Sequence, residues 1–357
     1  MSASTGPAEL ILVGPLPPPV HGQSVATSGL RDLLVGRGVG VLPVDTGEGT
    51  AGGGSARLLR QVAALWTVMR SRAPGLYLSV NAHRGMLATV MLALLGRLKR
   101  KALTLHHHSN RYLAKRDPIM ELLGKAAGGE ALHLVQCAAA GEGLRSMYKS
   151  VGRIQPYSNV GVVDPALRPG PVAPEGVIRL GHMSNLTEAK GMGRTIDAFR
   201  TARSEGFDAR LTVAGPCSEP YSRDAVALAQ REFGSAFAYV GPVYGEAKQR
   251  FFEAVDIFVF PSRYVTETQG IVNLEALACG RPVVAYAQCC IAGDIGATGG
   301  VAVAMDGDFS QALVNYLRRY LQDPAEASRL ARHRFEQLLD LHRQERDALL
   351  GWIRGAR

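Results

Sequence analysis

The stretch Pro261–Tyr286, PSRYVTETQGIVNLEALACGRPVVAY, holds the pattern on which the fold prediction depends. It follows an apolar run typical of a buried strand, and it contains a polar loop with Glu267, then Gly270, then a helix-like segment that includes Glu275. A further apolar run at 283–285 predicts the next strand. A strand, a loop, a helix and a strand in this order predict one βαβ unit of a parallel sheet.

The same alternation extends in both directions from this stretch. In the first half, the apolar runs at 9–14, 39–44, 75–80 and 101–105 predict strands, and the spacing at 24–35, 56–71 and 84–98 predicts helices. In the second half, we expect strands at 177–183, 211–214, 238–240, 257–260 and 283–285, and helices at 193–205, 221–233, 246–254 and 272–279. Five prolines in residues 156–176 indicate a connection between two domains. We therefore predict an α/β protein with two Rossmann-like domains and a ligand cleft at the carboxyl ends of the strands.

The beginning of the helix near Gly270 suits a phosphate group. The first amides of a helix have no partner within the helix and carry partial positive charge, so the backbone of Gly270, Ile271 and Val272 is a candidate phosphate site. Two carboxylates beside that site would repel the anion unless they face sugar hydroxyls instead. Glu275, one turn into the helix, suits the vicinal diol of a ribose, and Glu267 suits a second sugar on the other side of the phosphates.

This region resembles the family 4 retaining glycosyltransferases of the GT-B fold, of the bacterial polysaccharide-assembly type. The resemblance rests on Glu267-TQGIVNL-Glu275, an E-x7-E pattern, followed by ALACGRPVVA. It implies an acceptor-binding domain at 1–168, a nucleotide-sugar domain at 169–335 and a C-terminal helix at 336–357 that packs back on the first domain. It also implies metal-independent transfer of a hexose from a nucleotide-diphosphate sugar, with retention of configuration and no cofactor. Glu267 would contact the donor sugar, Glu275 the ribose, and the amides of Gly270–Val272 the diphosphate.

The family's G-R-L-x-x-x-K-G motif corresponds here to the stretch from Ser184 to Gly191, SNLTEAKG. By resemblance, Lys190 pairs with the leaving diphosphate. Asn185 replaces the family's arginine, so a fixed positive charge and a bidentate donor are lost at that position. Either Lys190 and the helix amides suffice, or another cation supplies the missing charge, for which Arg263 is one candidate.

The first loop, GPLPPPVHGQS at 14–24, is rich in proline and glycine. Where the family commonly has Gly-Gly beneath the donor phosphates, this chain has His21-Gly22. By resemblance, Gly22 allows the close approach, while His21 and Gln23 face the acceptor side of the cleft. Thr104-Leu105-His106 matches the family's T-x-H, which implies that His106 faces the donor sugar. The run of three histidines has no carboxylate or cysteine spaced to complete a site, so we expect no metal.

Positive charge is concentrated in the first half of the chain. Residues 1–150 contain 17 Lys and Arg against 8 Asp and Glu, whereas residues 151–357 contain 23 of each. The cluster Arg97-Leu98-Lys99-Arg100-Lys101 follows an apolar helix, which suits peripheral contact with an anionic membrane and a lipid-linked glycan acceptor in surface polysaccharide assembly. The alternative is an ordinary core helix with basic residues at its C-terminus.

Composition excludes several other classes. The longest apolar stretch, at 85–96, is shorter than a membrane span, and the first residues lack the order of a secretory signal, so we expect a cytoplasmic location. A dinucleotide oxidoreductase would need G-x-G-x-x-G after its first strand, which the prolines exclude. The non-enzyme alternative is a basic nucleic-acid-binding protein, which the basic first half favours. Against it, aromatics amount to only 6% and do not interleave with the basic residues. A nucleotide-sugar epimerase or hydrolase of the same fold remains the alternative enzyme.

Overall fold

The computed structural model describes residues 7–18, 21–47, 54–80, 85–172 and 176–355. The chain divides into two compact units, the first formed by 1–162 together with 341–357 and the second by 163–340. These divisions fall near the predicted ones at 168/169 and 335/336. None of the helices in the described ranges combines the length and hydrophobicity needed to cross a bilayer.

The first unit is a six-stranded parallel sheet covered by helices. Its strands are β1 (Leu10–Gly14), β2 (Val41–Asp45), β3 (Gly75–Val80), β4 (Ala102–His107), β5 (Leu132–Val135) and β6 (Arg153–Pro156). Its helices are α1 (Gly22–Gly36), α2 (Gly54–Arg70), α3 (Met86–Leu98), α4 (Arg111–Ala114), α5 (Pro118–Ala127) and α6 (Ala138–Met147). The strand order is β2-β1-β3-β4-β5-β6, so the order reverses between β1 and β3. In such sheets the ligand crevice lies outside the carboxyl ends of the two strands at this switch point.

Two layers of helices cover this sheet. Helices α2, α3 and α5 pack side by side, α3 against both of the others. A buried cluster elsewhere in the unit joins Leu10 of β1 and Leu30 of α1 to Leu349 and Ile353. These last two residues belong to the long helix α13 (Pro324–Gly355), whose residues from Leu341 onward are part of the first unit. The Trp352 indole donates a hydrogen bond to Thr104 Oγ1 of β4 at 3.0 Å, which fixes this end of the helix over the sheet.

The second unit repeats the architecture. Its strands are β7 (Ile178–Met183), β8 (Ala209–Ala214), β9 (Phe237–Tyr239), β10 (Ile257–Phe260), β11 (Val283–Tyr286) and β12 (Gly300–Val303). Its other helices are α7 (Met192–Ser204), α8 (Pro220–Phe233), α9 (Glu246–Glu253), α10 (Ile271–Ala278), α11 (Ile291–Ile295) and α12 (Phe309–Tyr320). All pairings are parallel, in the order β12-β11-β10-β7-β8-β9, which places the switch point between β7 and β10.

The apolar strands explain why this sheet is buried on both faces. Strand β10, IFVF, is buried at every position, as expected for a central parallel strand. Phe199 of α7, Val213 of β8, Val259 of β10 and Leu317 of α12 meet in one core cluster. This core holds the loops after β7 and β10 in fixed positions, and these two loops carry the predicted site.

Candidate functional site

The loop after β7 delivers Lys190 to the switch point of the second sheet. Gly191 follows Lys190 with φ +90° and begins α7, and a Cβ atom there would collide with the carbonyl oxygen of Pro261. Only glycine combines this backbone conformation with so close an approach. The K-G pair of the sequence motif therefore has a local cause, because the glycine lets the lysine loop pack directly on the strand end of β10.

The loop after β10 carries Glu267 to the same place. The Lys190 ammonium lies 2.5 Å from Glu267 Oε2, and both side chains are mostly buried. The Arg263 amide donates to the carbonyl of Ala189 at 2.8 Å, so the two loops are also joined through their backbones. The Tyr264 ring lies 4.6 Å from the lysine nitrogen, within cation–π range. A cation and an anion from two different strand ends thus meet where the sheet order reverses.

A buried histidine supports the lysine loop from beneath. His182, at the end of β7, is fully buried, with Nδ1 2.9 Å from the carbonyl oxygen of Val259 and Nε2 3.0 Å from Ser184 Oγ. The pKa of His182 is lowered to about 4, chiefly by burial; the bond to the Val259 carbonyl opposes this shift, and the charge of nearby Lys190 adds to it. The ring is therefore neutral near pH 7 and adds no charge to the site.

Gly270 begins α10 in the left-handed region, with φ +66°. A Cβ at this position would meet the Asn273 amide nitrogen at 2.9 Å and the Phe260 ring at 3.3 Å. The glycine turns the chain sharply from the Glu267 loop into the helix, so the first amides of α10, at Ile271 and Val272, begin directly after that loop. Both of these residues are partly exposed.

Glu275 lies one turn into α10 and is almost entirely buried, with 5% of its surface exposed. Its Oε1 accepts a hydrogen bond from the Lys248 ammonium of α9 at 2.6 Å. Its Oε2 has no hydrogen-bond partner among the described residues. Burial raises the pKa of Glu275, and the Lys248 charge opposes that rise. One carboxylate oxygen is thus held by a lysine, and the other is buried without a hydrogen-bond partner among the described residues.

Several residues of this site were not predicted from the sequence. Lys248 is one lysine on an amphipathic helix, and nothing in its neighbourhood along the chain marks it as the partner of Glu275. Gln288, in a stretch where the sequence departs from the family pattern, donates through Nε2 to the carbonyls of Tyr264 at 2.8 Å and Glu267 at 3.3 Å. That amide therefore holds the loop that carries Glu267.

Asn185 stands where the family has an arginine, and Arg263 is the candidate to replace its charge. Asn185 is exposed in the loop after β7. Arg263, the candidate replacement, donates to Tyr286 Oη at 3.1 Å and to the carbonyl of Met305 at 2.8 Å, with its guanidinium 4.6 Å from the Tyr286 ring. The Arg263 side chain is thus engaged with β11 and the segment after β12, and its role as the replacement for the family's arginine stays a prediction.

The last residues of the first loop, 21–24, lie at the switch point of the first sheet, between β1 and β3. His21 is the N-cap of α1, and its Nδ1 accepts from the Ser24 amide at 3.3 Å while Ser24 Oγ accepts from the His21 amide at 3.0 Å. Gly22 is the first residue of the helix. Gln23 donates through Nε2 to Ser79 Oγ of β3 at 2.9 Å. His21 departs from the family's glycine, and the structure gives it a definite local function as a helix cap.

His106, another predicted site residue, lies in the interior of the first unit. It is 1% exposed, lies within β4, and its Nδ1 is 2.8 Å from Tyr77 Oη. Burial lowers its pKa well below the usual range, and the neighbouring histidines lower it further. His108, beyond the end of β4, is only half-buried and is close enough to His21 for the two to interact electrostatically. Among the three histidines, His108 rather than His106 lies beside the first loop.

Two doubly wound sheets of six parallel strands, with a lysine–glutamate pair and a helix N-terminus at one switch point, define an α/β protein of the GT-B class. Residues 177–323, within the second unit, match the family model described as "Glycosyl transferases group 1". The match lies entirely within the second unit. The two six-stranded parallel sheets confirm the predicted fold class.

Solved structures show the same fold over nearly the whole chain. Sucrose-phosphate synthase from Thermosynechococcus elongatus is 18% identical, with a TM-score of 0.73 that covers 97% of this chain and 98% of that one. Anabaena HepE, solved in complex with UDP-glucose, is 15% identical, with a TM-score of 0.66 over 96% of this chain and 99% of that one.

A curated relative matches a shorter region. The α-monoglucosyldiacylglycerol synthase of Streptococcus pneumoniae is 30% identical over 113 residues, which is 31% of this chain and 25% of that protein. The match thus spans about a quarter of that relative's length.

Proposed function

We propose that this protein is a retaining glycosyltransferase of family 4. It would transfer a hexose from a nucleotide-diphosphate sugar to a hydroxyl of a lipid-linked glycan acceptor in surface polysaccharide assembly. The observation that carries the proposal is the convergence, at one switch point, of the Lys190–Glu267 pair and the amides that begin α10. Sugar-nucleotide chemistry needs a cation and backbone donors for the diphosphate, together with carboxylates for the sugar hydroxyls.

The diphosphate is the group on which negative charge develops when the bond to the sugar breaks. In this proposal Lys190 and the amides of Gly270, Ile271 and Val272 stabilise that charge, which is the role that metal ions play in other sugar transferases. Asn185 contributes a hydrogen bond at most, since an amide side chain carries no charge. The reaction would thus proceed without a metal ion or other cofactor.

In this proposal the carboxylates of Glu275 and Glu267 bind the two sugars of the donor, the ribose and the hexose. Glu275 Oε2 is buried and is positioned to accept from a ribose hydroxyl, while Lys248 on Oε1 favours the charged form of the carboxylate. Glu267 accepts from hydroxyls of the transferred hexose once the diphosphate engages Lys190. On the acceptor side we assign Gly22, His21 and Gln23, at the switch point of the first sheet. His106 is left out of this machinery, because its ring is held inside the first unit by Tyr77.

The stereochemistry follows from the order of events. The leaving diphosphate departs first, and the acceptor hydroxyl attacks the cationic sugar from the face that the diphosphate has left. The departing phosphate oxygen accepts the proton of the acceptor hydroxyl, so no separate base is required. The anomeric configuration of the donor is therefore retained in the product.

The relatives support the substrate class. The pneumococcal relative is named for a glycolipid product, and HepE was solved with UDP-glucose. A lipid-linked acceptor would place the protein at the cytoplasmic face of the cell membrane, consistent with the positive charge of the first half.

The test is a transfer assay with the purified full chain. Radiolabelled UDP-glucose and GDP-mannose are each incubated with a polyprenyl-diphosphate-linked sugar or with glucosyl-diacylglycerol, with and without EDTA. We expect label in the lipid-linked product for one donor, unaffected by EDTA, and an α-linkage by NMR from an α-donor. Donor consumption without any acceptor product would instead indicate a hydrolase or an epimerase, and a β-linked product would exclude retention.

A further inference from the structure

The outer faces of α2 and α3 carry a band of large apolar side chains exposed to solvent. Nine of them are between 45% and 73% exposed. They are Leu58, Leu59, Val62, Trp66 and Met69 on α2, and Leu87, Met91, Leu94 and Leu98 on α3. Leu122 of the adjoining helix α5 is also about half exposed. We call the nine residues on α2 and α3 the α2–α3 face.

Helical geometry makes this a single surface. The exposed residues of α3 recur at intervals of three and four, so they project from one side of the helix, and the exposed residues of α2 follow the same rule. The opposite sides of both helices are used for the core, since Ala64, Val68, Met86, Leu92 and Ala93 are buried. Because α2 and α3 pack on each other, the two outer stripes lie side by side.

The exposed large apolar residues of the second unit are distributed differently. They include Tyr221 and Leu228, seven residues apart on α8, and Tyr244 and Met305 in two separate loops. Single exposed apolar residues of this kind are normal for a protein surface, whereas a contiguous patch marks an interaction site. The α2–α3 face is therefore a candidate interaction surface.

Positive charge lies at one end of the same face. Both helices connect parallel strands, so their C-terminal ends both lie at the amino edge of the sheet. Arg70 and Arg72 follow the apolar stripe of α2, and Arg97, Lys99 and Arg100 follow that of α3; all five are exposed. Between residues 49 and 116 the chain contains twelve Lys and Arg and no Asp or Glu.

The two basic ends are joined by direct contacts. Buried Lys101 donates through Nζ to the carbonyls of Ser71 at 3.0 Å and Ala73 at 2.6 Å, which ties the end of α3 to the end of α2. Beside this junction is a pocket of about 420 Å³, lined in part by Arg97, Arg100, Glu130 and Trp352. The pocket adjoins the C-terminal end of α3 and is large enough to admit a phosphate-bearing headgroup.

We propose that the α2–α3 face is a docking surface for an anionic lipid bilayer. The apolar side chains enter the boundary between headgroups and acyl chains, and the basic end binds the anionic headgroups. Apolar residues on one side with Lys and Arg beside them are the combination that holds proteins in the plane of a membrane. Nucleic acid has no apolar surface to match nine exposed apolar side chains. The carboxylate that lines the pocket, Glu130, is paired with Arg153 at 3.2 Å.

This inference concerns a surface distinct from the sugar-transfer site. It specifies which part of the first unit meets lipid, and it holds whatever donor or acceptor the second unit takes. Peripheral binding through apolar side chains adds to electrostatic attraction, and each basic residue near an anionic surface contributes about a fivefold change in partitioning.

The test uses the purified full chain and sedimentation with sucrose-loaded vesicles. Vesicles of phosphatidylcholine alone are compared with equimolar phosphatidylcholine and phosphatidylglycerol, at low and at high salt. We expect binding to the anionic vesicles that weakens with salt and is much weaker with neutral vesicles. The double variant Lys99→Gln/Arg100→Gly should lower the partition coefficient roughly 30-fold. Arg100 has φ +54°, so glycine there relieves backbone strain while it removes the charge.

A second variant, Leu94→Gln/Leu98→Gln, removes apolar side chains and leaves every charge in place. We expect it to weaken binding at least tenfold. Leu228→Gln, at an exposed leucine of α8 in the second unit, is the matched control and should bind as the unaltered protein does. Circular dichroism and thermal unfolding of each variant confirm that the fold is retained.

Three results would overturn the proposal. The first is the absence of sedimentation with anionic vesicles, and the second is binding that both double variants leave unchanged. The third is a stable dimer, seen by light scattering, that Leu94→Gln/Leu98→Gln dissociates, because the face would then be covered by a second copy of the chain. Vesicle binding without sugar transfer would refute the proposed enzyme and leave this surface intact, and transfer to a soluble acceptor without vesicle binding would do the reverse.

Discussion

Replacement of Glu275 by glutamine tests the part of the site that the structure specifies most closely. The change keeps the size of the side chain and removes its charge. In the unaltered protein, Oε2 is buried without a partner among the described residues, and Oε1 is held by Lys248 at 2.6 Å. A ribose diol that donates to this carboxylate would form charge-assisted hydrogen bonds, each worth about 1.5–3 kcal/mol. An amide accepts through one oxygen only, so we expect about 3 kcal/mol to be lost, or roughly 100-fold in affinity for a nucleoside diphosphate.

Thermal unfolding measures this loss without knowledge of the acceptor. With UDP or GDP, whichever stabilises the unaltered protein more, at 100 times its dissociation constant, the expected stabilisation is about 2.7 kcal/mol. That corresponds to a rise of roughly 5–11 °C in the melting temperature of a unit of this size. In Glu275→Gln, the same ligand concentration is close to the new dissociation constant, so the stabilisation falls to about 0.4 kcal/mol and the rise to roughly 1–2 °C.

Two controls make the result specific to the ribose. Glu232→Gln removes a carboxylate that is paired with Arg200 at 2.6 Å on the surface of the same unit, and it should leave the ligand-induced shift unchanged. The 2′,3′-dideoxy form of the same nucleotide should stabilise the unaltered protein no more than it stabilises Glu275→Gln. If Glu275→Gln keeps the full shift, or if the dideoxy nucleotide binds as well as the ribonucleotide, the assignment of Glu275 to the ribose is wrong.

Three other perturbations test the remaining parts of the site. Lys190→Gln should lower the rate of sugar transfer by about 10²–10³, the usual effect of removing one donor that stabilises the transition state. Lys149→Gln, at an exposed lysine, is the control and should leave the rate unchanged. A loss smaller than about threefold for Lys190→Gln would contradict the assignment of Lys190 to the leaving diphosphate. Gly191→Ala should lower the free energy of unfolding by more than about 3 kcal/mol, because the added methyl brings both backbone strain and a collision. Gly206 has the same φ of +90° but no atom within 4 Å of an added methyl, so Gly206→Ala should cost only the strain, about 1–2 kcal/mol. Equal losses in thermal unfolding would refute the collision. His182 has a pKa of about 4 when folded and about 6.5 when unfolded, so between these values the unfolded chain binds more protons. The free energy of unfolding should therefore decrease by about 3 kcal/mol from this residue as the pH falls from 6.5 to 4. His182→Asn should show a shallower decrease when unfolding is measured against pH, and an unchanged slope would contradict the prediction.

Predictions from the sequence were accurate where a feature is encoded in consecutive residues. The strands predicted at 75–80 and 257–260 have the observed bounds, since long apolar runs between breakers leave little freedom. Strands β5, β6 and β12 were not predicted. Each has four residues, and β5 includes buried His133 while β6 is an edge strand with polar side chains, so neither shows a clear apolar pattern.

The site residues likewise fall into those that local sequence predicts and those that depend on tertiary packing. The spacing of Glu267, Gly270 and Glu275 is local and was read directly from the sequence. Lys248 reaches Glu275 from a helix 27 residues earlier, a contact that depends on how α9 packs against α10. The choice of His106 among three histidines depended on where β4 ends, because one residue more or less of strand decides which ring points into the core and which lies past the edge.

The Lys190–Glu267 pair has a consequence for turnover. Moving a lone ammonium from water to the mouth of a folded domain is costly, and the carboxylate of Glu267 keeps this lysine neutralised before any substrate arrives. In the proposed reaction, donor binding would exchange one anion for another, which would limit how tightly the diphosphate is held. After transfer, Glu267 would compete with the spent nucleotide for the same cation, and this competition would shorten the residence time of the product.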